Sequence, residues 1–202
     1  MRSDLRDLES VKDLDKVEIL AEELPRRVGN PLSIKSIAED LEVDHKTAKR
    51  WIEILSSIYY CFRISPYGAP KIRAVKKEQK LYLWDWSQVE EPGERFENMM
   101  ACQLLKFCHF HQDVYGEKME LRYIRHTDKR EIDFVVLKNK KPLFAVECKL
   151  KSKALSSLLS YFKERTPIKK FYQVSLHGPE KQIDDDTFMV SFEQFCKLEN
   201  MV

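Results

Sequence analysis

The clearest pattern of apolar and polar positions lies in residues 131–150, which predict two β-strands joined by a basic turn at 138–142. Residues 131–137 form a largely apolar run of β-forming side chains, whereas residues 143–150 alternate. Because successive side chains of a strand point to opposite faces, one face of the second strand can be buried under a helix. The other face presents Glu147 and Lys149 side by side. The face predicted to be buried consists of Phe144, Val146, Cys148 and Leu150.

Before this hairpin, the N-terminal part of the chain shows mainly helical periodicity. A tight connection separates two of the helical segments, and Asp44 is placed to cap the later one. Two strands follow them and flank a basic loop, so this part resembles a winged helix-turn-helix. The predicted elements are helices at 1–16, 17–28 (kinked or ended by Pro25), 34–41 and 45–55, and strands at 58–64 and 81–84.

Basic residues of this part are candidates for DNA contact. Lys46, Lys49 and Arg50 are expected on the exposed side of the second helix of the helix-turn-helix, and Arg73 and Lys76 lie in the basic loop. Two alternatives stay open. These side chains also fit an ordinary solvated helix face, and winged helices serve as protein-docking modules as well.

The pattern of the C-terminal part predicts a mixed α/β arrangement (α+β, with a mixed sheet). A linker at 85–93 separates this part from the first. The chain is therefore expected to contain two domains, at 1–86 and 94–202. The predicted order is a helix at 94–111, a strand at 119–126, the hairpin of 131–150, a helix at 152–165, a strand at 169–175, a polar acidic loop at 179–186, and an outer strand and helix at 188–190 and 192–198.

Candidate chemistry centres on Asp133, a carboxylate inside the apolar run of the first hairpin strand. A buried carboxylate is costly unless it is paired or binds a metal. If the hairpin strands pair, Asp133 lies beside Glu147, and a divalent cation removes the repulsion between them. Glu97 is a further candidate on the preceding helix, although an acid in a first helical turn is also favoured by the helix dipole. Arg125 is a candidate phosphate contact, or a surface arginine on an edge strand.

Asp133, followed by Glu147-Cys148-Lys149 across a hairpin, resembles the D…(D/E)-x-K signature of the PD-(D/E)XK nucleases, in particular the Holliday-junction-resolvase-like branch. The whole chain resembles the C-terminal half of a prokaryotic AAA-type ATPase family. The resemblance implies an αβββαβ core whose last strand runs parallel to the third. It also implies that Asp133, Glu147 and the backbone carbonyl of Cys148 hold Mg²⁺ or Mn²⁺, with Glu97 assisting through water and Lys149 acting on the attacking water or the phosphate.

Composition limits the kinds of binding surface, cellular compartment and cofactor site to be expected. The chain has 202 residues and a formal net charge of +2, so a nucleic-acid surface must come from local clustering. Five cysteines without CxxC spacing indicate reduced thiols in a cytoplasmic protein, and the sequence shows no signal peptide or membrane span. No glycine-rich phosphate loop occurs in these residues, so an ATP site is expected only on a separate ATPase module.

The function expected from these observations is Mg²⁺- or Mn²⁺-dependent hydrolysis of phosphodiester bonds in DNA. One alternative is a non-catalytic module that recognises DNA or a partner protein beside an ATPase. A second alternative is a transcriptional regulator that binds a specific sequence. A homodimer is compatible with each of the three.

Overall fold

The computed structural model describes residues 13–68 and 78–201. The expectations for residues 1–12, and those for Arg73 and Lys76 as DNA contacts, lie outside these ranges. The described residues form α-helices and a mixed β-sheet, as the α/β prediction required. None of the helices in these ranges combines the length and apolar character needed to cross a membrane.

The N-terminal helices begin at polar caps. The Ser33 side chain accepts a hydrogen bond from the backbone of Ser36, and Asp44 accepts from Lys46 and Thr47. Pro25 lies in the 3-10 turn at which the first helix ends. The sequence predicted that Pro25 would either kink or end this helix. The elements are α1 (Leu14–Glu23), a 3-10 turn (Leu24–Arg27), α2 (Ile34–Asp40), α3 (His45–Ser57), β1 (Cys61–Pro66) and β2 (Lys80–Leu83).

The C-terminal part begins with a long helix against which the centre of the sheet packs. Apolar residues of this helix, including Met100 and Leu104, belong to the core. The elements are a 3-10 turn (Trp86–Gln88), α4 (Pro92–Tyr115), β3 (Met119–Arg125), β4 (Glu131–Lys138), β5 (Lys141–Lys151), α5 (Ser157–Arg165), β6 (Lys170–His177), β7 (Lys181–Asp184), β8 (Thr187–Ser191) and α6 (Phe192–Leu198).

All the described strands belong to a single eight-stranded sheet in the order β2-β1-β3-β4-β5-β6-β8-β7. β3, β4 and β5 pair antiparallel in succession, and β6 runs parallel to β5. The N-terminal strands join the sheet because β1 pairs in parallel with β3, through Ser65–Arg122 and Pro66–Tyr123. Strands of both parts of the chain are therefore neighbours in one sheet.

Several predicted boundaries are wrong. The strand expected at 58–64 begins only at Cys61, because α3 continues to Ser57 and Tyr59 turns the chain with a positive φ of 58°. The predicted linker contains a 3-10 turn and the start of α4, and α5 begins at residue 157, where Ser156 caps it. The hairpin turn is shorter than expected, since only Asn139 and Lys140 lie between β4 and β5. Both residues adopt the left-handed conformation.

The C-terminal end of the chain differs more from the elements predicted by the sequence. The acidic segment expected to be a loop forms β7, which pairs antiparallel with β8. The last helix was expected outside the core, but its Phe195 is fully buried and lies against Phe144 and Tyr172. A loop prediction based on polarity failed here because β7 is an exposed edge strand with no apolar face to detect.

The sheet separates two groups of buried side chains. The larger group, on the α4 side, runs from the N-terminal helices through α4 to α6, and the smaller lies under α5. Phe144 and Val146 belong to the larger group, and Cys148 and Leu150 pack against it, so the predicted buried face of β5 is confirmed. Ala145 belongs to the smaller group.

Candidate active site

A β-bulge sets the position of Asp133. Arg122 pairs with Val135 and Ile124 pairs with Ile132, so β4 carries one residue more than β3 in this interval. Ile132 and Val135 both belong to the core under α5. The extra residue therefore turns Asp133 away from that core, where a regular alternation would have placed it with Val135.

Asp133 lies where β4 and β5 stop pairing. The last residues that pair on this side are Phe134 and Val146, so Asp133 and Glu147 come next on the two strands. Beyond that point the backbone N–H of Cys148 donates a hydrogen bond to Oδ2 of Asp133 at 2.7 Å. A carboxylate thus accepts an N–H that would otherwise continue the ladder. Asp133 is buried, and burial raises its pKa.

Glu147 is the buried partner on β5. Its Oε1 accepts from Nζ of Lys149 at 2.5 Å, while its buried Oε2 has no hydrogen-bond partner. Burial, followed by the charge of Asp133, raises the pKa of Glu147 to about 8. The glutamate therefore holds an oxygen atom that is ready to accept a proton or a cation. The Lys149 side chain is 43% exposed, so it can meet a ligand from solvent.

Glu97 also reaches this region from α4. Its Oε1 accepts from the Tyr82 hydroxyl at 2.7 Å, and burial, followed by the charge of Asp133, raises its pKa to about 7. The helix dipole does not account for its position, because α4 begins at Pro92 and Glu97 lies in the second turn. Gly29 adjoins the carboxylate, and a Cβ at this residue would lie 3.1 Å from Oε1 of Glu97.

Lys80 completes the cluster. Its ammonium, fully buried, lies 3.0 Å from Oε1 of Glu131 and 3.4 Å from Oε1 of Glu97. Burial alone disfavours the charge of Lys80, but the carboxylates of Glu97, Asp133 and Glu131 outweigh it and raise its pKa. The other Glu131 oxygen accepts from Arg125 at 2.7 Å. Lys80 therefore lies between two carboxylates, and Glu131 lies between two basic side chains.

The donor set suits a hard divalent cation near Asp133 and Glu147. The unpartnered Oε2 of Glu147 needs a positive group, and carboxylate oxygens are the ligands that Mg²⁺ prefers. Across residues 13–68 and 78–201, no three His, Cys, Asp or Glu side chains form a ready-made metal cage. Further ligands at this site would be water and backbone carbonyls, such as that of Cys148, as is usual for Mg²⁺.

Comparison with known families bears on the same residues. A family model described as a domain of unknown function (DUF4143) matches residues 92–195, just over half of the chain. The chain belongs to the DUF4143 family. The model of a second domain of unknown function (DUF8612) matches residues 1–89. No curated protein and no solved structure matched the chain.

The DUF4143 match includes Asp133, Glu147, Lys149 and Glu97, all of them singled out by sequence. Structure brings the first three together around the end of the β4–β5 pairing, and Glu97 approaches from α4. Arg125 lies in β3, which is paired on both sides, and its contact is with Glu131. Lys46, Lys49 and Arg50 are exposed on α3, where Lys49 lies 3.7 Å from Glu53.

Sequence reasoning missed the residues outside the DUF4143 match that complete the site. Lys80, Tyr82 and Gly29 all lie in the segment matched by DUF8612. Lys80 and Tyr82 bond to Glu97, and a side chain at Gly29 would meet its carboxylate. Lys80 directly precedes the apolar triplet of β2. The signal available in the sequence was a charged side chain directly beside an apolar run, the same kind of pattern that singled out Asp133.

Proposed function

We propose that this chain is a metal-dependent DNA endonuclease of the PD-(D/E)XK type, in which Asp133 and Glu147 hold Mg²⁺ or Mn²⁺. One observation carries the proposal. A buried aspartate accepts the Cys148 N–H at the point where two strands separate, beside a glutamate whose buried oxygen has no partner. Two buried carboxylates in this relation repel each other, and a cation relieves that repulsion.

The element order supports this assignment. α4, β3, β4, β5, α5 and β6 follow in the αβββαβ succession, and β6 runs parallel to β5. For the N-terminal part we infer a winged helix-turn-helix. α2 and α3 supply the helix pair and the antiparallel strands β1 and β2 supply the wing. Exposed Lys46, Lys49 and Arg50 on α3 support a role in contacting DNA phosphates.

Each protein group has a distinct role in the proposed reaction. The bound cation would polarise the scissile phosphate and lower the pKa of the attacking water. Asp133 and Glu147 hold it, and the Cys148 N–H fixes the orientation of the Asp133 carboxylate. Lys149, half-exposed beside Glu147, orients the attacking water or stabilises the charge that develops on the phosphate. Glu97, whose carboxylate is affected by the charge of Asp133, helps to hold the cation through a water molecule.

We further infer that an AAA-type ATPase module acts together with this chain. DUF4143 domains are often associated with ATPase-containing proteins. The ATPase would supply movement along or remodelling of DNA, while hydrolysis of the DNA strand takes place at Asp133 and Glu147.

The test is cleavage of supercoiled plasmid and of branched synthetic DNA with Mg²⁺, with Mn²⁺ and with a chelator. The parent is compared with Asp133→Asn and Glu147→Gln, which keep the shape of each side chain. Glu164→Gln, at a 71% exposed side chain on α5, is the matched control. Metal-dependent nicking that is lost in both site variants and kept in the control supports the proposal. Equal nicking by parent and site variants contradicts it.

A second candidate is a recognition module without catalysis. It is favoured by the internal neutralisation of the cluster, since Lys149 already pairs with Glu147 and Lys80 with Glu97 and Glu131. Such a module would bind DNA in a salt-dependent manner or dock a protein partner. The plasmid assay separates the two candidates, because a folded parent that binds DNA and never cuts it belongs to the second.

A further inference from the structure

Lys80 has an unusual position for a lysine. Its side chain is fully buried, whereas a lysine ordinarily keeps its ammonium in water. Lys80 is the first residue of β2, in the N-terminal part of the chain, but both of its carboxylate partners belong to the C-terminal part. Glu97 comes from α4 and Glu131 from the start of β4.

The ammonium is surrounded by groups that select for positive charge. Oε1 of Glu131 lies at 3.0 Å, Oε1 of Glu97 lies at 3.4 Å, and the centre of the Tyr123 ring lies at 5.4 Å. The charge of Asp133 also acts on it. Two carboxylates and an aromatic face thus lie around one cation that is covalently part of the protein.

We propose that the Lys80 ammonium occupies a second cation position of the site, so that the parent binds one divalent ion fewer than its carboxylates can support. The position of the first ion, at Asp133 and Glu147, rests on the proposed function. The second position, at Glu97 and Glu131, is filled by Lys80 instead of a metal. Removing the lysine side chain opens that position to Mg²⁺ or Mn²⁺.

The geometry of the partners favours this exchange. With Lys80 shortened, Oε1 of Glu131 loses its ammonium while the other oxygen stays bonded to Arg125. Oε1 of Glu97 keeps only the Tyr82 hydroxyl. The space left by four methylenes and an ammonium is bordered by two carboxylates, and hydrated Mn²⁺ or Mg²⁺ binds through oxygen ligands of this kind.

The inference is tested by counting bound Mn²⁺ in equilibrium dialysis of the purified full chain. Four proteins are compared: the parent, Lys80→Ala, Lys80→Arg and the double variant Lys80→Ala/Glu97→Gln. Lys80→Ala is expected to bind one Mn²⁺ more than the parent. Lys80→Arg retains a tethered positive charge and should bind the same number as the parent. The double variant should lose the additional ion, because it lacks one of the two carboxylates.

The outcomes separate this inference from the proposed function. The number of ions bound by the parent tests the site at Asp133 and Glu147, whereas the difference between parent and Lys80→Ala tests the role of Lys80. Equal numbers in the two proteins would overturn the inference, whatever the parent binds. If Lys80→Ala does not fold, as judged by circular dichroism, Lys80→Ser, which also removes the long side chain and its charge, replaces it, and the comparison of its ion count with that of the parent decides in the same way.

Discussion

Changing Glu147 to Gln is expected to remove a large part of the pH dependence of stability. Burial, followed by the charge of Asp133, raises the pKa of Glu147 from 4.5 to about 8. Between these values the folded protein holds a proton that the unfolded chain has released. The stabilisation from this proton is complete below the unfolded pKa and is lost as the pH rises through the folded pKa.

The size of the effect follows from the number of protons involved. One proton changes the free energy of unfolding by about 1.4 kcal/mol per pH unit, so the parent loses roughly 2–3 kcal/mol between about pH 5.5 and 7.5 from this group. Gln has no proton to lose. The variant therefore gains stability relative to the parent as the pH rises, by about the same amount.

The assay is urea unfolding followed by circular dichroism, at half-unit steps from about pH 5 to 8.5. Glu97 titrates in both proteins, so only the difference between the two curves is assigned to Glu147. Glu164→Gln, exposed on α5, serves as the control and should follow the parent. Parallel curves for parent and Glu147→Gln would refute the assignment of a retained proton to this side chain.

Three further predictions concern stability and catalysis. Gly29→Ala should destabilise by about 1–2 kcal/mol in urea unfolding, because residue 29 has a φ of +74° and the new Cβ meets Glu97, whereas Gly68→Ala, with open space around it, should stay within about 1 kcal/mol of the parent. Asn98→Ala should cost about 2–4 kcal/mol in the same assay, since this buried side chain bonds both backbone groups of one β2 residue. Lys149→Ala should keep its Mn²⁺ affinity in calorimetry but lose about 100-fold or more in plasmid nicking, and parental nicking would remove the role given to Lys149.

Much of the fold could be predicted because its signals are local. Apolar spacing located α4 and the β4–β5 hairpin, and the alternation in β5 assigned Phe144 and Val146 to the correct face. That Asp133 and Glu147 come next to each other at the end of the β4–β5 pairing followed from the same hairpin, since it depends on the register of two adjacent strands. The polar segment of β7 carries no such alternation and was missed.

The rest of the site depends on contacts between distant segments. Asn98 donates to the carbonyl of Leu83 at 2.7 Å and accepts from its N–H at 2.9 Å, and no feature of the local sequence specifies this partner. Lys80 reaches Glu131 across 51 residues. The bulge at Asp133 is likewise a property of the β3–β4 pairing, which periodicity within one strand does not encode.

The pairing of β1 with β3 has a practical consequence for work with separate fragments. A fragment limited to the DUF4143 match, residues 92–195, would leave β3 with a free edge at Arg122 and Tyr123. It would also leave Glu97 and Glu131 without the ammonium that neutralises them. Exposed strand edges recruit other chains, so such a fragment should self-associate and unfold at lower temperature than the intact chain. The segment that a family model delimits is, in this protein, smaller than the segment that forms the sheet.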